Sequence, residues 1–433
     1  MNLNYKQTKV FPIKTATACQ LKWSWSTVYL TTGKTASCHR TNHHKFDTKT
    51  FNFHNTPDKI QDRELMLKGE WPFKGCEYCR NIESAGGQSD RMTNSDMWEF
   101  EGPKELETDL TATSVTPRLF EIYFNNTCNL KCTYCDPAFS SLWDDENRRY
   151  GDPIFVVDEN LEENKQKCFE WLRQNVNELY QLNVLGGEPL YQEEFDQLLD
   201  VLEEKPAPNL TLTFFSNLAV AEDRLVSKID RIERLVNKKH IRKLEITASL
   251  DCWGPEQEFA RFPINLKRWE KNFEYLLDKE WITIVIGSTI TPLTIWTLDQ
   301  LLEKINKWNE TREVWWYGNS VNGPTFMFID MFGDAFTEEF DRALALMPDR
   351  EPEHRSAKSY LKGIRDQAKS KEPNLTEIKN LYIFLDKMDE RRNTDWRSVY
   401  PKLVKLFQQH LGDMYERERN QSLGTTGIEA PRA

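Results

Sequence analysis

The stretch RLFEIYFNNTCNLKCTYCDP, residues 118–137, joins a short run of β-branched and aromatic residues to a loop with three cysteines. The run at 118–125 predicts a β-strand, and the loop follows it directly. Cys128, Cys132 and Cys135 have the spacing C-x3-C-x2-C within eight residues. Three thiolates this close together can surround one iron–sulfur cluster, because cysteine thiolate is the usual ligand of such clusters. A four-iron cluster needs four ligands, so the loop would leave one iron open.

Strand and helix patterns alternate after this loop. Further strands are predicted at 179–185, 210–217, 243–251, 282–291 and 325–331, and helices at 160–178, 191–204, 221–238, 264–278 and 297–308. Repeated βα units of this kind predict a parallel sheet covered by helices. We therefore expect an α/β fold, a partial (β/α)6 parallel barrel, with functional groups at the carboxyl ends of its strands.

The pattern also predicts how the rest of the chain is organised. We expect a small β-rich cysteine module at 1–92, with a hairpin at 25–38 and a helix near 58–68, then a polar linker at 93–117. The barrel would occupy 118–334, followed by a helical C-terminal extension at 335–415 and a disordered tail at 416–433.

Composition excludes some classes of protein. The chain has 433 residues, with 57 Lys and Arg against 68 Asp and Glu, which gives a net charge of −11. This balance disfavours a protein that coats nucleic acid, because phosphate binding depends on clustered basic residues. No run approaches the ~18 apolar residues that a membrane span needs. The N-terminal residues lack the apolar segment of a secretory signal, so we expect a cytoplasmic protein without membrane or nucleic-acid partners.

The three-cysteine loop resembles the signature of the radical S-adenosylmethionine (SAM) superfamily, in which an aromatic residue, here Tyr134, precedes the third cysteine. The resemblance implies that Cys128, Cys132 and Cys135 hold a [4Fe-4S] cluster whose open iron binds SAM. It further implies reductive cleavage of SAM to a 5′-deoxyadenosyl radical, which abstracts hydrogen from a substrate C–H bond. Such chemistry requires a one-electron donor, for example flavodoxin or ferredoxin.

Motifs at the ends of later strands are similar to SAM-binding segments of the same family. Gly186, Gly187, Glu188 and Pro189 resemble its GGEP motif, which contacts the SAM amino group. Glycines there would also allow a close approach of backbone to ligand. The resemblance assigns further SAM contacts to these residues: Ser216, Asn217, Ser249, Asp251, Arg261 and Thr289. The alternative for the first five of these six residues is that they are only polar caps on strands, and Thr289 could line the adenine pocket.

Four cysteines precede the barrel: Cys19, Cys38, Cys76 and Cys79. Four thiolates can complete either an iron–sulfur or a zinc site. The set resembles the twitch module, a shortened relative of the SPASM domain, which implies a second, auxiliary iron–sulfur cluster. Structural zinc is the alternative. Four histidines near these cysteines are expected at the surface, although any of them could replace a cysteine as ligand: His39, His43, His44 and His54.

Two cysteines remain outside these groups. Cys168 lies in a helical pattern and is expected in the core. Cys252 follows Asp251 at the end of a predicted strand, where its thiol could donate a hydrogen atom to a substrate radical. A packed free thiol without a catalytic role is the alternative for Cys252.

Resemblance to twitch and SPASM enzymes implies a peptide or protein side chain as the substrate. A small molecule such as an aminosugar is the alternative within the same chemistry. An alternative of another class is a zinc-bound interaction protein whose barrel does not catalyse.

Overall fold

The computed structural model of this chain describes residues 11–73, 75–92 and 102–412. These ranges contain nine β-strands: β1 Trp25–Tyr29, β2 Lys34–Ala36, β3 His44–Lys45, β4 Leu119–Tyr123, β5 Gln181–Leu185, β6 Ala207–Ser216, β7 Ile241–Ser249, β8 Ile282–Ile290 and β9 Trp315–Ser320. The strands form one sheet in the order β3-β2-β1-β4-β5-β6-β7-β8-β9. The pairs β1–β2 and β2–β3 are antiparallel, whereas β1–β4, β4–β5, β5–β6 and β8–β9 are parallel.

Helices alternate with the strands from β4 to β9. The same ranges contain fifteen α-helices: α1 Gln20–Ser24, α2 Pro57–Leu67, α3 Glu77–Ser84, α4 Ser141–Tyr150, α5 Leu161–Asn175, α6 Glu193–Glu204, α7 Glu222–Asn237, α8 Pro255–Ala260, α9 Leu266–Leu277, α10 Leu298–Trp308, α11 Thr337–Leu346, α12 Pro352–Lys369, α13 Leu375–Arg392, α14 Trp396–Val399 and α15 Pro401–Leu411. This order confirms the α/β class with a mostly parallel sheet and a helical C-terminal part, as in a partial barrel.

Contacts divide the chain into two compact units. Unit 1 comprises residues 1–129, 136–247 and 279–283, and unit 2 comprises 130–135, 248–278 and 284–433. In unit 1, aromatic side chains fix the helices that cover the sheet. The rings of Phe120 and Trp171 meet edge to face at 5.2 Å, and those of Phe195 and Phe214 do so at 5.2 Å. Burial of such large rings is a major source of packing energy, so it holds the strand ends in place.

The predicted hairpin at 25–38 forms as β1 and β2, with Gly33 at φ +60° in its turn. Strand β1 also pairs in parallel with β4, and Thr27 lies opposite Glu121. The first 92 residues thus contribute strands to the same sheet as the predicted barrel. The five-part division of the chain stays a prediction, and the expected tail at 416–433 and residues 93–101 of the expected linker lie outside the described residues.

The strand predicted at 325–331 is wrong. Those residues form two short 3-10 turns, Thr325–Met327 and Ile329–Phe332, and the last strand is β9, which pairs in register with β8. Short apolar runs fit strands and buried turns equally well, and this run follows Pro324 directly. The aromatic and β-prone residues at Trp315–Tyr317 extend the sheet instead.

The helical extension of unit 2 has its own aromatic core. Trp396 is buried, and its ring meets those of Tyr382 and Phe407 at 6.1 and 5.3 Å. The five helices from α11 to α15 confirm the expected helical C-terminal part. Among the described helices, none combines the length and apolar character that crossing a membrane requires.

Candidate functional site

Cys128 lies in unit 1, in the irregular loop between β4 and α4. Its sulfur accepts a long hydrogen bond from the Asn217 side-chain Nδ2, with a donor–acceptor distance of 3.9 Å. The same Nδ2 donates to Asn129 Oδ1 at 2.8 Å, and the Cys128 N–H donates to Ser141 Oγ at 3.2 Å. Two residues predicted for this site, Cys128 and Asn217, are therefore in contact.

The buried carboxylate of Glu188 explains how Asn217 is positioned. Ser216 Oγ donates to Glu188 Oε1 at 2.8 Å, and the Asn217 N–H donates to Oε2 at 2.7 Å. The Leu190 N–H also donates to Oε1, at 3.2 Å. Glu188 thus ties the end of β5 to the end of β6. Its expected direct contact with the SAM amino group stays a prediction.

The two glycines of the GGEP segment are required by tight packing. Gly186 and Gly187 have φ values of +81° and +62°, which favour glycine. A Cβ at Gly186 would lie 2.6 Å from Tyr123 Cδ1, and one at Gly187 would lie 2.3 Å from the Thr127 carbonyl oxygen. The glycines therefore let β5 pack against β4 and the cysteine loop. Pro189 begins the 3-10 turn that follows.

Cys132 and Cys135 lie in unit 2, joined by a tight turn in which the Cys135 N–H donates to the Cys132 carbonyl at 3.0 Å. Backbone bonds hold both neighbours of Cys132. Lys131 N–H donates to the Phe262 carbonyl at 2.7 Å, and Thr133 N–H donates to the Ala260 carbonyl at 2.8 Å. The loop is thereby fixed against the end of α8.

Asp251 is the centre of a buried polar cluster in unit 2. Its carboxylate accepts two bonds from Arg261, at 2.8 and 2.9 Å, and one from the Tyr134 hydroxyl at 2.5 Å. The Thr289 N–H donates to it at 2.8 Å. Arg261 Nη1 also lies 4.0 Å from Cys132 Sγ. Five residues of the predicted site are thus in one network, and Arg261 and Asp251 bind each other.

Burial controls the protonation of this cluster. It raises the pKa of Tyr134 well above its usual value, so the phenol remains a hydrogen-bond donor. Burial also raises the pKa of Cys132, and the Arg261 charge opposes that increase. Coordination to a metal deprotonates a thiol outright, so Cys132 suits a metal-bound thiolate supported by a nearby cation.

Ser249, the last residue of β7, is half-buried, and no contact of its side chain supports a site role. Cys252 is completely buried, and its backbone N–H and thiol face Gln257 Oε1 at 3.1 and 3.7 Å. Burial raises the pKa of Cys252 well above its usual value, so the thiol is neutral. A hydrogen-atom donor must be neutral, but Cys252 has no exposed surface through which substrate could reach it.

Gln257 is a residue that the sequence reasoning missed. Its Oε1 accepts the Asp251 N–H at 3.0 Å as well as that of Cys252. It therefore fixes the backbone that carries the Asp251 carboxylate. The only signal in the sequence was its position shortly after the SLD segment, in PEQEF.

The four N-terminal cysteines of unit 1 surround one small cavity. Cys19, Cys38, Cys76 and Cys79 all line it, together with Lys22. The backbone N–H groups of Leu21 and Lys22 oppose the increase in the pKa of Cys19, and those of Arg40 and Thr41 oppose that of Cys38. Backbone N–H groups directed at sulfur stabilise thiolate. The structure therefore brings together all four predicted ligands.

Electrostatics at this cavity favour an anionic metal–thiolate group. Burial raises the pKa of Cys19 to about 12 and that of Cys76 to about 11, so the free thiols stay protonated. Lys22 is only 3% exposed, and its positive charge acts on Cys38 and Cys76. Within 11–73, 75–92 and 102–412, no set of three or more Cys, His, Asp or Glu has the arrangement of a single-ion site.

The expectation that the nearby histidines lie at the surface is wrong for His54. It is 3% exposed, and its Nδ1 lies 2.7 Å from Ser26 Oγ. Lys59 Nζ donates to the same hydroxyl at 2.7 Å. A buried serine, Ser26, lies under α2 and accounts for the buried position of His54. The sequence pattern alone does not reveal that His54 has this partner. His39 is exposed and lines the cysteine cavity, where it contacts Asp90 at 3.2 Å.

Comparison with known proteins identifies the central part of the chain. Residues 122–305 match the family model described as the Radical SAM superfamily. This match covers less than half of the chain, and it includes the three-cysteine loop and the GGEP segment. The matched segment begins within β4 and ends within α10.

Solved structures are similar to this chain only distantly. One, described as "Native anSMEcpe with bound AdoMet and Kp18Cys peptide", has 16% identity and a TM-score of 0.33 over 52% of this chain and 57% of that chain. Another, "Structure of TYW1 with a lysine-pyruvate adduct bound", has 14% identity and a TM-score of 0.28 over 51% and 68%. This chain therefore spans little more than half of the first protein. A search among curated proteins finds no match.

Proposed function

We propose that this enzyme abstracts a hydrogen atom from a peptide or protein side chain, with Cys128, Cys132 and Cys135 as the ligands of its [4Fe-4S] cluster. The observation that carries this proposal is a polar donor at two of the three thiols, Asn217 at Cys128 and Arg261 at Cys132. Donors of this kind favour the thiolate form and tune iron–sulfur clusters. When bound, the cluster and SAM supply the carbon radical that removes hydrogen from the substrate.

The other residues would position these groups. Glu188 orients Asn217 through its backbone N–H, and Asp251 orients Arg261 through two charge-assisted bonds. The Tyr134 hydroxyl donates a hydrogen bond to Asp251 Oδ2 and so helps to fix this carboxylate. Buried, fully bonded groups of this kind keep one geometry. We assign SAM contacts to half-buried residues near them, Gly186 and Thr289, and to Ser249 on the family resemblance alone.

The four N-terminal cysteines would hold an auxiliary iron–sulfur cluster. Four thiols around one cavity, with backbone donors and Lys22 beside them, support an anionic thiolate group. Zinc has the same chemical preference for four thiolates, but it requires a close tetrahedral arrangement. The resemblance to the twitch module favours the cluster, and structural zinc is the alternative occupant of the same four thiolates.

Iron analysis tests both metal assignments. After anaerobic reconstitution we expect about eight irons per chain, since each cluster would hold four. A Cys128→Ala/Cys132→Ala/Cys135→Ala variant should retain about four irons and lose cleavage of SAM to 5′-deoxyadenosine. A Cys76→Ala/Cys79→Ala variant should also retain about four. The Cys168→Ala variant is the matched control, because that thiol is buried in α5 and should leave the iron count unchanged.

The outcomes separate the alternatives. If the triple variant still cleaves SAM, the assignment of the three loop thiols is overturned. If the triple variant holds zinc and no sulfide, the N-terminal site is a zinc site and the auxiliary cluster is excluded.

The substrate class rests on the resemblance to twitch and SPASM enzymes. The test incubates the enzyme with a uniformly deuterated peptide fraction from cells. Transfer of deuterium into 5′-deoxyadenosine would show that a peptide is the substrate. The control is a deuterated small-molecule fraction, which includes aminosugars. Transfer from that fraction alone would replace the peptide by the small-molecule alternative. We expect flavodoxin or ferredoxin to support the reaction as electron donor.

A further inference from the structure

The strands of unit 1 have one face against helices and a second face that carries polar side chains. On the first face, Phe120 of β4 packs on Trp171 of α5, and Phe214 of β6 packs on Phe195 of α6. Because side chains alternate along a strand, the residues next to these phenylalanines point to the second face. Four residues there lie opposite one another in register and form what we call the polar row: Thr27, Glu121, Asn183 and Thr213. None of the four is more than 9% exposed.

Hydrogen bonds in the polar row are directed at Glu121 from both sides. The Thr27 hydroxyl donates to Glu121 Oε1 at 3.0 Å, and Trp25 Nε1 donates to the Thr27 hydroxyl oxygen at 3.0 Å. On the other side, the Asn183 amide donates to the Glu121 carboxylate, and Gln181 Nε2 donates to Asn183 Oδ1 at 2.9 Å. Two chains of neutral donors therefore end at one carboxylate, an arrangement that favours its anionic form.

Glu121 has no countercharge in the part of the chain that the structure describes. Its hydrogen-bond partners there are Thr27 and Asn183, both neutral. His39 acts on Glu121 only at longer range, and its ring pairs with Asp90 instead. Burial raises the pKa of Glu121, so the two neutral donors do not fully offset the loss of water. Buried charges in proteins are normally paired, and this one lacks its cation.

Two aromatic rings lie beside Glu121 on the same face. Tyr29 and Tyr123 are opposite each other in register, and their half-buried rings stack at 4.4 Å. They follow Thr27 and Glu121 by two residues, about 7 Å along the strands. The Tyr123 ring also packs against Gly186, the first glycine of the GGEP segment. A carboxylate next to aromatic rings is a favourable environment for a cation.

The hydroxyl of Thr213 is a second unsatisfied group in the row. Thr213 is 3% exposed, and its Oγ1 has no hydrogen-bond partner among the described residues. A buried hydroxyl without a partner costs free energy, so a partner from a ligand would be favourable. Thr213 lies two strands from Glu121, about 10 Å away, so the two side chains would bind different atoms of that ligand.

We propose that the polar row is a substrate-recognition site, in which Glu121 binds a cationic N–H group of the substrate, an ammonium or a guanidinium. This inference rests on the proposed function and narrows its substrate class. Lysine side chains of peptides and aminosugars both carry an ammonium group, and arginine side chains carry a guanidinium. The cation supplies the charge that Glu121 lacks, and the Thr213 hydroxyl binds a second polar group of the same substrate.

The test removes the charge from either partner. The full-length, reconstituted enzyme is incubated with the deuterated peptide or small-molecule fraction that transfers deuterium into 5′-deoxyadenosine. Part of that fraction is acetylated, which neutralises amines, and part is treated with cyclohexanedione, which blocks guanidinium groups. We expect one treatment to lower the transfer rate of the wild-type enzyme about tenfold or more, the loss typical of a hydrogen bond between charged groups. Acetylation identifies an ammonium, and cyclohexanedione identifies a guanidinium.

The matching variant is Glu121→Gln, which keeps the size of the side chain without its charge. We expect it to react slowly with the untreated fraction and at the same rate with the treated one, so that the ratio of the two rates approaches one. The control is Glu203→Gln, because that carboxylate is at the surface of α6 and pairs with Arg231 at 2.7 Å. This control should keep the wild-type ratio.

The ratio separates recognition from folding. If Glu121→Gln loses iron or melts early, Glu121→Met replaces it, because it has similar length and adds no buried polar atom. A wild-type ratio in the Gln or Met variant, or equal wild-type rates with all three samples, overturns this inference while the proposed function stands. If the wild-type enzyme transfers deuterium from neither fraction, the proposed function fails, and this inference fails with it.

Discussion

Gly187 shows how a single residue controls the cysteine loop. Its backbone passes so close to the Thr127 carbonyl that no side chain fits between them. The sequence analysis selected this glycine for a close approach to a ligand, and that role stays a prediction. The structure supplies a second reason for a glycine here, which is the close contact with the Thr127 carbonyl. The sequence of a strand-to-helix turn cannot show such a contact.

We predict that Gly187→Ala destabilises the protein by about 1–3 kcal/mol and reduces its iron content, because the new Cβ must displace the Thr127 carbonyl. Urea unfolding and iron analysis measure the two effects. Gly363→Ala in α12 is the control, because no atom lies within 4 Å of its added Cβ. That variant should be unchanged or up to about 1 kcal/mol more stable. Equal effects in both variants would contradict the packing argument.

His54 makes the stability of the folded protein depend on pH in the acidic range. Burial, followed by the charges of Arg63 and Lys59, lowers its pKa well below the usual 6.5. The unfolded chain then binds the extra proton below pH 6.5 and the folded chain does not, so stability is lost as pH falls through this region. The loss approaches about 1.4 kcal/mol per pH unit for this one group.

We therefore predict that the free energy of unfolding decreases between pH 6.5 and 5, and that His54→Gln flattens this decrease. Urea denaturation at a series of pH values measures it. The control is His39→Gln, because that side chain is exposed. An unchanged slope in His54→Gln would show that other groups cause the acid sensitivity.

At the scale of elements, the short helix α1 connects the cysteine cavity to α2. Lys22 in α1 forms an ion pair with Asp62 of α2 and lines the cavity of the four cysteines. Without a cation there, the thiolates and the Asp62 carboxylate would repel each other.

We predict that Lys22→Met lowers iron retention at the N-terminal site. The measurement uses the background in which Cys128, Cys132 and Cys135 are alanine, since there the remaining iron reports that site alone. Lys45→Met is the control, because Lys45 is exposed and forms its ion pair with Asp158 at the surface. Unchanged iron in Lys22→Met would remove the electrostatic support for an anionic group.

Most elements of the fold could be predicted because their patterns are periodic. Strand β8 alternates buried and half-buried residues along its whole length, and such a run is unambiguous. The replacement of the expected strand at 325–331 by β9 could not be predicted, because both runs are apolar and only pairing with β8 decides between them. Likewise, the cysteine spacing can suggest metal ligands, and that assignment stays a prediction, whereas the ion pair of Asp251 with Arg261 depends on tertiary contact.

At the scale of the whole molecule, the parallel pairing of β1 with β4 makes the N-terminal residues part of the sheet. Removing residues 1–92 would expose the edge of β4 and unpair five residues of it. We predict that such a truncated chain does not melt cooperatively and does not retain iron. Differential scanning calorimetry of the truncated and full-length proteins measures this. A cooperative transition in the truncated chain would establish an independent N-terminal module.

The anchoring of Tyr400 to α8 has a consequence for biosynthesis. The ribosome makes residues 128–135 before residue 400. A nascent chain that has not reached residue 400 lacks the hydrogen bond from the Tyr400 hydroxyl to the Glu256 carbonyl in α8. Iron that reached the cysteine loop at that stage would meet a supporting helix whose own anchor has not yet been synthesised.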